Sequence, residues 1–289
     1  MQTLTPSAPR GLGHCGLTAL LLFASVPAHP AETDMVRVPI REVDTVFANP
    51  GQGWMSQTPL SGVRVSGERE LVFGGYPWTV RSGHGGPGPN AWATDNVWLD
   101  AATNLHLKIA HREGKWSCAE VTLQQRLGFG RYRFQTVGRI DRLDDNVVLG
   151  LFNYPTREVG PDATHEIDIE FARWGEAGNP LGNFTVWPVE RGLKPVSKAF
   201  PVALTGDEAT HGFHWGHRQI VFQSANGHRE DQREAISTWT YRPSEPARFI
   251  SRQPMPVHLN LWLFQGRPPK DGQEVEVIIR GFKHTPDGP

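Results

Sequence analysis

His165-Glu-Ile-Asp-Ile-Glu-Phe171 is the stretch on which the reading of this chain turns. Successive side chains of a strand point to opposite faces, so a strict two-residue alternation marks a strand buried on one side. Ile167, Ile169 and Phe171 then face a core, and Glu166, Asp168 and Glu170 share the other face. Strands are normally depleted in acidic residues. Three carboxylates in file repel one another, so the arrangement costs stability.

Extended backbone places the alpha carbons of Glu166 and Glu170 about 13 Å apart. Two glutamyl side chains leaning toward each other bring their carboxyl groups to roughly 5–6 Å. Retaining glycosidic chemistry needs about 5–5.5 Å between nucleophile and acid/base, and inverting chemistry about 6.5–9.5 Å. Three crowded carboxylates do not all ionise easily, so one is expected to hold a proton near neutral pH. Asp168, between the glutamates, is placed to share a proton or a hydrogen bond with its neighbour. Two other readings use the same residues: a solvated acidic strand face, and a cation site. Calcium favours ligands gathered on a curved loop, which a straight strand does not provide.

The same rhythm runs outward along the chain. Residues 104–110, 131–137, 147–154, 183–187, 219–223, 257–264 and 274–279 all alternate as short strands. Turn chemistry separates them: Gly-Gly-Pro-Gly-Pro-Asn at 85–90, Gly128-Phe-Gly130 and Asn226-Gly227. No helical stripe exceeds about two turns, and no fixed-period repeat suggests a propeller or solenoid. The expected fold is all-β, a two-sheet antiparallel jelly roll. Residues 46–289 read as one domain, because no composition break divides them.

The 289 residues carry a formal charge of −1, with no basic run to attract nucleic acid or an anionic membrane surface. Residues 1–28 have the form of an export signal: Arg10, then an apolar run from Leu17 to Val26, then the small residues of Val26-Pro-Ala28. The expected location is therefore periplasmic or extracellular. Residues 29–45 form a polar lead-in. With Cys15 lost in the signal, only Cys118 remains, so no internal disulfide is expected and a buried thiol is the simplest role for it. Twelve histidines include His211, His214 and His217, but no H-E-x-x-H or Cys/His cluster marks a metal site, and no cofactor is expected.

The sequence resembles the family 16 glycoside hydrolases, jelly-roll enzymes of the concanavalin A-like lectin/glucanase type that act on β-linked glucans and galactans. Glu166-Ile-Asp-Ile-Glu170-Phe171 is similar to their E-[IL]-D-[IF]-E strand. The unbulged spacing looks like the lichenase and xyloglucan transglycosylase branches. By this resemblance Glu166 is the nucleophile, Glu170 the general acid/base and Asp168 the assisting carboxylate. Further pieces that resemble the family are Trp116–Val121, Phe129–Phe134, Gly150–Tyr154, His211–Trp215 with Gln219–Phe222, and Pro254–Trp262. Two positions depart from its pattern. Gln223-Ser-Ala-Asn226-Gly227 stands where Tyr-x-Asp-Gly is usual, and Thr122 stands where an Arg often follows the Ala-Glu pair.

The flanking strands offer a sugar platform. His258, Asn260 and Trp262 share one face of 257–264, and Gly150 shares a face with Phe152 and Tyr154, leaving room above it. Aromatic faces stack on sugar rings while Asn and Glu fork to hydroxyl pairs. The candidate substrate contacts are Glu120, Phe152, Tyr154, Trp174, Asn183, Trp187, Asn260 and Trp262. The expected partner is a polysaccharide and the expected state a monomer. Hydrolysis, transglycosylation and non-catalytic carbohydrate binding all remain compatible with these residues.

Overall fold

In the computed structural model, which describes residues 69–228 and 235–288, the alternating runs become strands of two large antiparallel sheets. The first sheet runs in the order Arg69–Phe73, Tyr76–Val80, Ala119–Leu123, Val257–Leu263, Val147–Asn153, Ile167–Phe171, Gly182–Val186 and Val196–Phe200. The second runs Ala235–Tyr241, Ile220–Asn226, Glu208–Trp215, Gly130–Val137, Val275–Pro286, Leu105–Arg112 and Val97–Leu99. Among the described residues the α-helix is the single turn Pro246–Phe249. None of their helices is long and apolar enough to cross a membrane. The fold is the expected all-β jelly-roll sandwich. The expected signal segment at 1–28 and the lead-in at 29–45 lie outside the described residues.

The core is where the inward faces of the two sheets meet. Phe184 of the first sheet stacks on Phe222 of the second at 5.0 Å, and Trp78 meets Phe282 edge-on at 5.5 Å. Ile167, Ile169 and Phe171 are all buried there, with Phe171 against the His211 ring at 4.6 Å. Full burial of such side chains is worth about 1.5–3 kcal/mol each. That apolar anchor holds the acidic face of the same strand in place.

Two of the strand boundaries that differ from the sequence reading have a clear local reason. The acid strand begins at Ile167 rather than Glu166, because Ala163 and His165 both take left-handed backbone conformations (φ 65° each) in the turn leading into it. Glu166 still extends the ladder, its carbonyl accepting from Trp187 N at 2.9 Å. The last strand, expected over 274–279, runs on through Val275–Pro286. A register shift between Ile279 and Gly281 moves the inward positions from Val277 and Ile279 to Phe282. A bulge inserts one residue and so breaks the two-residue rhythm that would have revealed the continuation.

Candidate active site

Strand register assembles the site in rows across the first sheet. Glu120, Asn260, Gly150, Glu170 and Asn183 lie side by side on five successive strands. The adjacent row on the same face is Thr122, His258, Phe152, Asp168 and Thr185. One residue beyond the paired ends, Tyr154, Glu166 and Trp187 continue the alternation. The three acids thus occupy three rows of one inner strand, with aromatic and amide side chains on both sides.

The turn that delivers Glu166 is pinned at several points. His165 N donates to Pro188 O at 3.0 Å, its Nδ1 lies 3.0 Å from Ser251 Oγ, and Thr164 Oγ1 donates to Pro161 O at 2.6 Å. Burial lowers the His165 pKa and so disfavours the charged form of its ring. Glu166 and Asp168 are each 3% exposed, whereas Glu170 is half-buried, so solvent reaches the triad from the Glu170 end. Trp187 Nε1 donates to Asp168 Oδ2 at 2.8 Å. That bond orients the middle carboxylate.

The predicted contacts divide into groups. Phe152 and Trp187 are half-buried beside the acids, on the acid face. Tyr154 borders Glu166, and its hydroxyl donates to Asp162 Oδ1 at 2.7 Å. Asn260 is buried with its Oδ1 unpartnered. It fills the room expected above Gly150, since a Cβ built on that glycine would collide with Asn260 Oδ1. The space expected for a sugar ring there is therefore taken by an amide.

The remaining contacts serve the fold more visibly. Asn183 spends both amide protons on the Ala172 and Leu181 carbonyls, each at 3.1 Å. Trp262 is only 3% exposed, and its ring lies tilted against that of Trp174, with centroids 6.5 Å apart.

Glu120 is the largest surprise. Its Oε2 pairs with Arg81 Nη1 at 2.7 Å, and its Oε1 faces His258 Nδ1 at 3.0 Å. Burial pushes its pKa upward, but the Arg81 charge and the His258 contact outweigh that and bring it to about 2. The side chain is thus a fixed anion. Arg81 also donates to Gly86 O at 2.8 Å and lies 4.1 Å over the Trp92 ring. Arg81, at the end of the neighbouring strand, supplies the cation that balances Glu120. Sequence reasoning missed Arg81, which no motif marks, although it follows the outward positions Pro77 and Thr79. It placed His258 on the correct face but gave it no role.

Elsewhere, Cys118 is buried, donates to Asn90 Oδ1 at 3.3 Å and has its thiol pushed by burial up to about 12. It is unreactive. His211 is buried and His214 lies on the opposite face of the same strand, while His217 is exposed in the following turn. These three histidines do not converge on one point.

No family model matches the sequence, and no curated protein sequence matches it. Solved structures do share its fold. A Bacillus licheniformis β-glucanase is 18% identical with a TM-score of 0.55, over 78% of this chain and 100% of that one. A prokaryotic β-1,3-1,4-glucanase (lichenase) from a mouse hindgut metagenome is 19% identical with a TM-score of 0.54, over 76% and 99%. A glycoside hydrolase family 16 endo-glucanase from Bacteroides ovatus, in complex with G4G3G-2F-DNP, is 14% identical with a TM-score of 0.55, over 72% and 94%. At these identities the likeness establishes the architecture.

Proposed function

We propose that the protein is an exported glycoside hydrolase that cleaves internal β-linkages of a polysaccharide by a retaining double displacement. The observation that carries this reading is the triad itself. Glu166, Asp168 and Glu170 share one face of an inner strand, and aromatic side chains flank them. Glu166 is the nucleophile: it is the most enclosed end of the triad, its backbone fixed by the ladder bond to Trp187. Glu170 faces its glutamyl partner from the solvent-reached end. It donates a proton to the departing glycosidic oxygen as Glu166 attacks the anomeric carbon, and later takes a proton from the incoming water. Asp168 stands between them in a fixed orientation, held by the Trp187 indole. Its proximity keeps the two glutamates electrostatically distinct, so that one is charged while the other holds its proton.

The test is a panel of laminarin, barley mixed-linkage glucan, lichenan, xyloglucan and agarose, with product analysis, comparing wild type with Glu166→Gln and Glu170→Gln. We expect new reducing ends of retained configuration from at least one polymer, and a loss of at least about 100-fold in either variant. Products longer than the starting chains would identify transfer to a sugar acceptor in place of water. Binding without turnover of any polymer would overturn the enzymatic reading.

A further inference from the structure

The sheet does not hold the three acids equally. Asp168 pairs with Phe152 on one side and Thr185 on the other, and Glu170 with Gly150 and Asn183. Pairing with the strand Val147–Asn153 stops at Ile167, so Glu166 alone of the triad lies beyond its end. On the other side, Trp187 N still donates to the Glu166 carbonyl. The position of the candidate nucleophile therefore depends on the turn that leads into it.

His165 is the last residue of that turn, and it holds a left-handed backbone conformation (φ 65°). For a residue with a side chain such a conformation costs about 1–3 kcal/mol and persists only where the surroundings impose it. A return to ordinary φ at His165 would swing the chain at the next residue, which is Glu166.

The imidazole supplies the constraint. Its Nδ1 lies 3.0 Å from Ser251 Oγ. Ser251 is 1% exposed and is itself fixed: its Oγ accepts from Gln253 N at 3.3 Å, and its carbonyl accepts from Trp215 Nε1 at 2.8 Å. Trp215 is fully buried at the end of the strand Glu208–Trp215, in the second sheet. Gly160 packs against the ring as well, since a Cβ built there would stand 2.6 Å from His165 Cδ2 and 2.9 Å from Nε2. The ring is thus wedged between Gly160 and Ser251, and through Ser251 it ties the turn before Glu166 to the opposite sheet.

We propose that His165, braced on Ser251, is a positioning residue that sets where the Glu166 carboxylate stands against the anomeric carbon. His165 carries this role only if Glu166 is the glycosidase nucleophile proposed above. Misplacing a reacting group by about 1 Å costs as much as about 100-fold in rate. A purely structural strut would instead make activity follow stability.

Three variants separate the two. His165→Gly removes the wedge but accepts the left-handed backbone without strain. His165→Asn tolerates the same backbone and keeps a polar atom at the Nδ1 position for Ser251. Ser251→Ala removes the brace from its other end. kcat and KM are measured on the polymer of the panel above that wild type cleaves fastest, together with melting temperature. Labelling of Glu166 by the dinitrophenyl fluoroglycoside of that polymer's disaccharide is followed by mass spectrometry. Its leaving group needs no proton, so labelling reports on the nucleophile apart from Glu170.

We expect His165→Gly to lower kcat about 10- to 100-fold and to slow labelling by a similar factor. KM should stay within about threefold and the melting temperature within about 3 °C. Ser251→Ala should lose about 3- to 10-fold in kcat, with no further loss when added to His165→Gly, as for two residues acting as one unit. His165→Asn should stay within about threefold of wild type. Wild-type kcat in both His165→Gly and Ser251→Ala overturns the proposal and leaves the catalytic reading standing. A kcat that falls only in step with melting temperature, or that His165→Asn does not restore, overturns it in favour of a structural strut. A wild type that cleaves none of the polymers overturns both readings. If His165→Gly does not fold, Ser251→Ala carries the same comparison.

Discussion

Replacing Arg81 by Met is expected to expose how the fold sustains a buried anion beside the acids. Glu120 has a side chain only 5% exposed, and its pKa is lowered from 4.5 to about 2. At about 1.4 kcal/mol per pH unit, that difference carries about 3 kcal/mol of stability. Because the folded pKa is the lower one, this stability is fully present above pH 4.5 and is lost as pH falls toward 2. Without Arg81 the upward push of burial meets only the His258 contact. The carboxylate then either stays charged at a penalty or takes up a proton. We expect Arg81→Met to lose about 3 kcal/mol at pH 7, in line with breaking a buried ion pair. The double variant Arg81→Met/Glu120→Gln, which removes the stranded charge, should recover more than half of that. Urea denaturation followed by tryptophan fluorescence at pH 7, 5 and 3.5 gives the comparison, and the gap to wild type should narrow as the solution is acidified. A loss below about 0.5 kcal/mol at pH 7, or a gap that widens in acid, would refute the reasoning.

Three further outcomes follow from the same geometry. Trp187→Phe removes the indole donor to Asp168, and a hydrogen bond to a carboxylate is worth about 1.5–3 kcal/mol. kcat should fall about 10- to 100-fold with the melting temperature nearly unchanged, and a kcat within twofold of wild type would contradict the role given to Asp168. His211 is buried with its pKa lowered by burial to about 3, so the unfolded chain takes up its proton first and stability falls as pH drops below 6.5. His211→Gln should remove about 2–3 kcal/mol of the stability lost between pH 6.5 and 4.5, read from urea midpoints at the two pH values. Glu166→Gln removes the charged glutamate of the triad, so it should raise stability by up to about 1 kcal/mol while turnover disappears. A clear destabilisation would mean that Glu166 supports the fold.

The sheet face was legible in the sequence because a buried strand leaves a two-residue signature, and HEIDIEF states it without interruption. The alternation of His258, Asn260 and Trp262 was read correctly for the same reason. What alternation cannot convey is depth. Trp262 and Asn183 share the acid face, yet Trp262 is buried with its ring tilted against Trp174, and two backbone carbonyls hold Asn183. Both contacts depend on residues outside the strands: the turn bearing Trp174 (φ 55°), and the turn containing Leu181. Edge strands such as Val196–Phe200 and Ala235–Tyr241 were missed because half-exposed residues blur the apolar rhythm. Arg81 was invisible because its partner Glu120 lies 39 residues away and only strand pairing brings them together.

The register also explains why this sheet tolerates so much negative charge. Four carboxylates, from Glu120, Glu166, Asp168 and Glu170, occupy one face within four adjacent strands. They are not treated alike. Glu120 is matched by a cation and a histidine and is fixed as an anion, so it takes no part in proton traffic. Between it and the triad stand Asn260, Gly150 and Phe152, which carry no charge. The repulsion therefore stays concentrated within one strand, where it separates the protonation behaviour of two glutamates. The apolar back of that strand, buried against the opposite sheet, offsets the cost. Destabilisation confined to three residues and underwritten by core packing is the physical state expected of a site kept for chemistry rather than for folding.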